Sequence, residues 1–145
     1  MRLTFVLEAD GLLSQASQLW CIATKDPDTG ERRKFGPHQV EEGLRYLASA
    51  EHLIGHNIIE YDLAVAHKLH PWFDYDLTKV TDTLVLSRLI FPNLSDTDMR
   101  RPEVTAAGMT GRHSLEAWGL RFGVPKIAHE DWTRFSPEML ERCVV

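Results

Sequence analysis

The sequence is short of several features that would assign it quickly. Two cysteines, Cys21 and Cys143, stand far apart in 145 residues and without metal-ligand spacing. A disulfide scaffold and a cysteine zinc site are therefore not expected, and a reduced cytosolic setting is the default. No apolar run reaches the length of a membrane span, and Met1-Arg2 leads directly into a short strand-like run. A secretory signal would need a longer apolar region and a small-residue cleavage site. Basic residues are also outnumbered: 16 Lys and Arg against 21 Asp and Glu give a net charge of −5. That balance argues against a free-standing protein holding nucleic acid by phosphate neutralisation alone. It leaves room for an enzyme that meets phosphates through divalent cations, because such a site needs surplus carboxylates. Repeats and low-complexity tracts are missing too.

What remains is ordinary globular material: 43% hydrophobic and 26% charged residues, one domain by length. Residues 3–8 alternate as a strand requires, with Leu3, Phe5 and Leu7 on one face and Thr4, Val6 and Glu8 on the other. LWCIAT (19–24) reads as a second strand, KDPDTGERR as a turn, and 32–35 as a returning third, which makes an antiparallel start. Pro37 opens a helix with Val40, Leu44 and Leu47 at helical spacing. HLIGHN (52–57) is a buried strand, followed by a helix from about Ile59 to His67 that Pro71 closes. KVTDTLVLSRLIF (79–91) begins as a strand and becomes helical after Asp82, its expected N-cap. Residues 92–112 read as a structureless, functional or mobile loop. SLEAWGLRFG (114–123) is helical and stopped by Gly123 and Pro125. A last short helix starts with Ser136 as N-cap and Pro137 in its first turn. Strands first, then alternating helix and strand, predict an α/β layered domain with a mixed sheet.

Two acids stand in settings that suit metal chemistry. Glu8 ends the first strand. Asp62 follows the fourth strand within N-x-x-x-Y-D (Asn57, Tyr61, Asp62), in the first turn of a helix. Hard divalent cations take oxygen ligands, and strand ends and helix starts hold carboxylates rigidly enough for octahedral geometry. Two such ions can activate water and stabilise an in-line phosphoryl displacement. Taken singly, each acid is an ordinary surface residue.

The segments LEADGLLSQASQLWC (7–21), HNIIEYDLAVAHKL (56–69), TDTLVLSRLIFPNLSDTDM (81–99) and HSLEAWGLRFG (113–123) resemble the 3′–5′ proofreading exonuclease domain of family A DNA polymerases. That family belongs to the DEDD superfamily, and the nearest likeness is to the replicative polymerases of short-tailed phages. The resemblance implies an RNase-H-like fold over residues 1–145: a mixed sheet of antiparallel N-terminal strands and then a parallel strand, flanked by helices. It implies removal of nucleotides from a single-stranded DNA 3′ end with two Mg²⁺ or Mn²⁺ ions. It also implies a polymerase domain or replication protein as partner, no membrane, and a phage or prophage setting in a bacterial cytoplasm.

Carried over by position, the family's D-x-E motif falls on Val6 and Glu8. Its second motif falls on Asn57, Tyr61 and Asp62, with Glu8 and Asp62 as metal ligands and Asp82 in support. Its Y-x-x-x-D motif puts Arg142 where tyrosine belongs and the final Asp beyond Val145. Leu12 and Leu13 match positions that wedge against the terminal base, although a plain core role is equally open. Val6 replaces an acid shared by both metals, so the resemblance implies an impaired site, truncated at the last motif. Val6 reads as an engineered knockout, a natural degeneration or a variant site. The alternative function is a non-catalytic remnant that binds nucleic acid or protein.

Smaller features are expected to be structural. His52, His56, His67, His70 and His113 lack zinc spacing and are assigned surface or capping roles. Glu141 occupies the position of the family's alternative histidine base, which disfavours that subtype. Trp20, Trp72, Trp118 and Trp132 are assigned to packing. Arg100, Arg101 and Arg112 flank the long loop and could touch phosphates. Asp10, before Gly11, reads as a turn residue.

Overall fold

The computed structural model describes residues 1–124 and 129–143. Strand β1 (Arg2–Ala9) lies at the centre of a five-stranded sheet. It pairs antiparallel with β2 (Leu19–Lys25), which pairs antiparallel with β3 (Arg32–Phe35). On its other side β1 pairs parallel with β4 (His52–Gly55), and β4 pairs parallel with β5 (Val80–Asp82). The order is β3-β2-β1-β4-β5. The sheet therefore has two parallel strands after the antiparallel start, the second being the KVTD segment that reads as a strand in the sequence.

The alternation of β1 decides which face is core. Leu3, Phe5, Leu7 and Ala9 are buried and pack with Leu44 and Leu47 of α1 (Val40–Ala48) and Leu63 and Ala66 of α2 (Asp62–Leu69). Val6 and Glu8 consequently emerge on the opposite face. Both helices start later than their sequence signals suggest. Pro37 precedes α1 by a full turn, and Asn57 adopts a left-handed φ of 65° that delays α2 until Asp62. Gly55 is required just before it: a Cβ there would lie 2.3 Å from Ile58 Cγ2 and 3.0 Å from the Phe5 carbonyl oxygen. α3 (Thr83–Ile90) follows β5 without a loop, capped by Asp82, whose carboxylate accepts from Leu84 N at 2.9 Å.

The segment 92–112 corrects the expectation of a structureless loop. It holds two short helices, α4 (Leu94–Asp98) and α5 (Pro102–Ala106). Five residues per helix are too few to write a periodic pattern, so the signal lies elsewhere. Asp98, with 0% exposure, accepts two hydrogen bonds from the buried Arg121 of α6 (Leu115–Phe122), at 2.9 and 2.6 Å. Gly111 N donates to the same carboxylate, and Arg121 donates to the Arg112 carbonyl. The Arg121 guanidinium holds the Asp98 carboxyl below the usual carboxylate range. α6 itself is capped by Ser114, which accepts from Ala117 N, and closed as expected by Gly123 at φ 70°. Pro125, the expected second stop, lies outside the described residues, as do positions 144 and 145.

The last helix, α7 (Pro137–Arg142), packs on β2. Pro137 takes its first turn, but Ser136 makes no side-chain cap. Among the tryptophans, Trp72 departs from the packing assignment at 45% exposure. The histidines depart as well, since several join elements: His52 Nε2 to Thr81 Oγ1, His56 Nδ1 to Thr83 Oγ1 and His113 Nδ1 to Ser87 Oγ. The turn residues behave as read, with Asp26 accepting from Asp28 N and Thr29 N, and Asp10 from Ser17 N and Gln18 N.

The Asp98–Arg121 pair yields a stability prediction. Asp98→Ala strands a buried guanidinium and should lower the urea unfolding free energy by about 3 kcal/mol. Glu41→Ala, which breaks an exposed i,i+4 pair with Arg45, should leave the midpoint nearly unchanged. Equal losses in the two variants would contradict the staple assigned to Asp98.

Candidate active site

Three elements bring the candidate residues together. Strand β1 presents Val6 and Glu8 on its non-core face, the loop after β4 delivers Asn57 and Tyr61, and the first turn of α2 supplies Asp62. Val6, Glu8, Asn57, Tyr61 and Asp62 line one open cavity of about 680 Å³, whose far wall carries Arg88, Arg112 and His113. A second cavity on the same face, about 280 Å³, is lined by Val6, Glu8, Asp62, Arg142 and Cys143 among others.

Asp62 is the electrostatic centre. Its carboxylate is nearly buried and Oδ1 accepts from Leu7 N at 3.0 Å. Burial pushes its pKa up to about 7; the Leu7 amide pulls it down, while the charges of Glu8 and Asp82 push it further up. The nearby Glu8 charge thus adds to burial in disfavouring ionisation of Asp62. Tyr61 feels the same field. Burial, followed by Asp62 and Glu8, pushes its phenol up to about 12, and its hydroxyl donates to Gly11 O at 2.7 Å.

Asp82 has a different task. Its carboxylate accepts from Asn57 N at 2.9 Å, Ile59 N at 3.1 Å and Leu84 N at 2.9 Å. Burial pushes this carboxyl up, but the three amides outweigh it and hold the pKa below its ordinary value. Asp82 thus fixes the β4–α2 loop, and with it the approach of Tyr61 and Asp62, while capping α3.

Arg142 of α7 reaches the same region. Its guanidinium lies over the Trp132 ring at 4.8 Å from the centroid, and its Nε is buried with no hydrogen-bond partner among the described residues. The Cys143 thiol donates to Glu8 Oε1 at 3.7 Å. Leu12 and Leu13 separate in role. Leu13 packs against the core, whereas Leu12 is 70% exposed at a loop apex. Lys68 holds that loop by donating to the carbonyls of Leu13, Ser14 and Ala16. The equal option of a core role therefore survives for Leu13 and fails for Leu12.

The donor set can be tested against a pair of divalent cations. Val6, which lines the cavity with Glu8 and Asp62, offers no oxygen, and the Asp82 oxygens are engaged by amides. Among the described residues, no group of three or more His, Cys, Asp or Glu side chains is arranged to hold a metal ion. Two carboxylates alone do not satisfy six-coordinate ions that prefer several oxygen ligands each. The residues present do not fit a two-cation centre.

Sequence reading missed Arg88, His113 and Cys143 at this site. Arg88 falls in the last turn of α3, where a basic residue needs no function to explain it. Cys143 meets Glu8 across 135 residues, a contact no local pattern announces.

The sheet order with its central β1, antiparallel on one side and parallel on the other, defines an RNase-H-like α/β fold. A solved structure described as the apo form of the nuclease shares it, with a TM-score of 0.59 over 98% of this chain and 64% of its own, at 19% identity. At the level of sequence the chain is homologous to phage DNA polymerases. It is 34% identical over 136 residues to the DNA-directed DNA polymerase of Escherichia phage T7 and 33% identical over the same length to that of Enterobacteria phage T3. Each match covers 86% of this chain and 19% of the polymerase, so the chain spans about one fifth of the length of these relatives. No family model matches. No described helix is long and apolar enough to cross a membrane.

The Asp62 environment predicts a pH dependence. Its folded pKa, about 7, lies above that of an unfolded aspartate, so between pH 4 and 7 the folded chain holds a proton that the unfolded chain releases. Stability should therefore fall as pH rises through this window and level off above it, by up to about 4 kcal/mol. Asp62→Asn should flatten that dependence and raise the unfolding midpoint at pH 8, measured by denaturant titration without divalent ions. A variant as pH-sensitive as the parent would show that Asp62 is not the group responsible.

Proposed function

We propose that this chain is the exonuclease-like domain of a phage-type DNA polymerase. It receives the 3′ end of single-stranded DNA in the groove between Glu8 and Asp62 on one wall and Arg112 on the other, and its hydrolytic power is impaired at Val6. The observation that carries this reading is the convergence of Glu8 and Asp62 on cavities that Val6 also lines. Intact members of the resembled family hydrolyse terminal nucleotides with two Mg²⁺ or Mn²⁺ ions. Here the acid that would be shared between ions is an isopropyl group, so the surviving ligands, Glu8 and Asp62, bind such ions weakly.

Arg112 supports the choice of ligand. Its neighbours are tethered, Gly111 to Asp98 and His113 to Ser87, and its carbonyl accepts from Arg121. The backbone under this exposed guanidinium is therefore fixed before any ligand arrives, which suits a phosphate contact. Leu12, exposed beside Tyr61 and Asn57, would wedge against a terminal base. Arg142 contributes positive charge near Glu8, but a guanidinium does not generate a hydroxide nucleophile. A polymerase domain or another replication protein is the expected partner.

The test is degradation of 3′-labelled single-stranded DNA with Mg²⁺ or Mn²⁺. The chain as given should show no turnover above background. A variant combining Val6→Asp with an aspartate added after Val145 should cleave, and Glu8→Ala should abolish that cleavage. Arg112→Ala should weaken DNA binding in proportion to one lost phosphate contact, reducing the salt slope by about 1. Clear turnover by the unaltered chain that disappears on Glu8→Ala would overturn the assignment of impairment.

A further inference from the structure

The chain's only two cysteines, 122 positions apart, meet beside Glu8. Cys21 is fully buried in β2, and the antiparallel register places it directly opposite Glu8. Side chains of directly opposed residues project to the same side of the sheet, so Cys21 lies on the same non-core face as Glu8. α7 then crosses β2 and ends at Cys143, whose thiol donates to Glu8 Oε1 at 3.7 Å. The Cys143 thiol also interacts with that of Cys21. Both are free thiols. Neither sulfur is needed for the reading given above, and a strand residue and a helix-end residue share this spot only through the tertiary fold.

We propose that Cys21 and Cys143 are a redox pair: exchange with a small-molecule disulfide joins their sulfurs, locks α7 to the sheet and withdraws the thiol that donates to Glu8. Cys143 is half-buried and reacts first. Its thiolate, having lost a proton to solvent, attacks one sulfur of the small disulfide, forming a mixed disulfide and expelling a thiolate. Cys21 then loses its proton and attacks Cys143 Sγ, forming the protein disulfide and expelling the second thiolate. The two protein thiols are oxidised by two electrons, and the small disulfide is reduced to two thiols.

The closed loop would span most of the chain, from β2 to the end of α7. Cross-links of that reach restrict the unfolded ensemble strongly. Locking α7 would also fix Arg142, which precedes Cys143, against the cavity shared with Glu8.

The experiment treats the full chain with oxidised glutathione and follows intact mass, free-thiol titration and thermal unfolding. The expected product is monomeric, lighter than the reduced chain by about 2 Da, without titratable thiols and without a glutathione adduct. Its melting temperature should rise by on the order of 10 °C, and dithiothreitol should reverse both changes. Cys143→Ala and Cys21→Ala should each abolish the rise. A stable glutathione adduct on Cys143, a covalent dimer, or two thiols that stay reactive after treatment would each overturn the proposal. So would an intramolecular disulfide that leaves the melting temperature unchanged or lower.

Discussion

The bond from Leu7 N to the Asp62 carboxylate organises this molecule. It runs from the middle strand of the sheet to the first residue of α2, and it converts an otherwise ordinary β–α crossing into a fixed angle. Because the acceptor is a nearly buried carboxylate, the contact stabilises the junction and strains it at once. The amide favours the charged form while burial and Glu8 oppose it. A stabilising scaffold would have placed an asparagine there. An acid whose charge is disfavoured by its surroundings is the kind of group that functional sites hold more often than scaffolds do.

Around that junction the remaining polar groups act as rigging. Asp82 collects three amides from two segments, so the left-handed Asn57 and the delayed start of α2 are held from outside the loop itself. Asp98 and Arg121 do the corresponding work for the opposite wall. The result is a groove with an acidic side and a basic side, each stiffened by a buried carboxylate. The net negative charge of the chain thereby coexists with a local cationic wall, an arrangement that whole-chain charge conceals.

The sheet was legible because its information is local. Alternation in 3–8 names the core face, and Asp82 before an amphipathic run announces the strand-to-helix junction. Glu8, Asp62 and Val6 were legible because position on a strand or helix start determines which way each points. What could not be read depended on partners distant in the chain. Helices α4 and α5 owe their order to Arg121, a residue outside the segment they occupy. The connecting roles of His52 and His113 appear only when Thr81 and Ser87 are brought alongside. Asp82 was identified as supporting, but the form of that support, amide capture rather than contact with a ligand, needed coordinates.

Trp132 gathers the C-terminal segment into one unit. Its carbonyl accepts from the Trp20 indole at 2.9 Å, its ring receives the Arg142 guanidinium, and His129 meets it edge-on. α7 is too short to be stable as an isolated helix, so its order is borrowed from this aromatic hub and from β2. Opening at the hub would release the whole segment together, as a separate low-energy foldon whose amide protons exchange before those of the sheet.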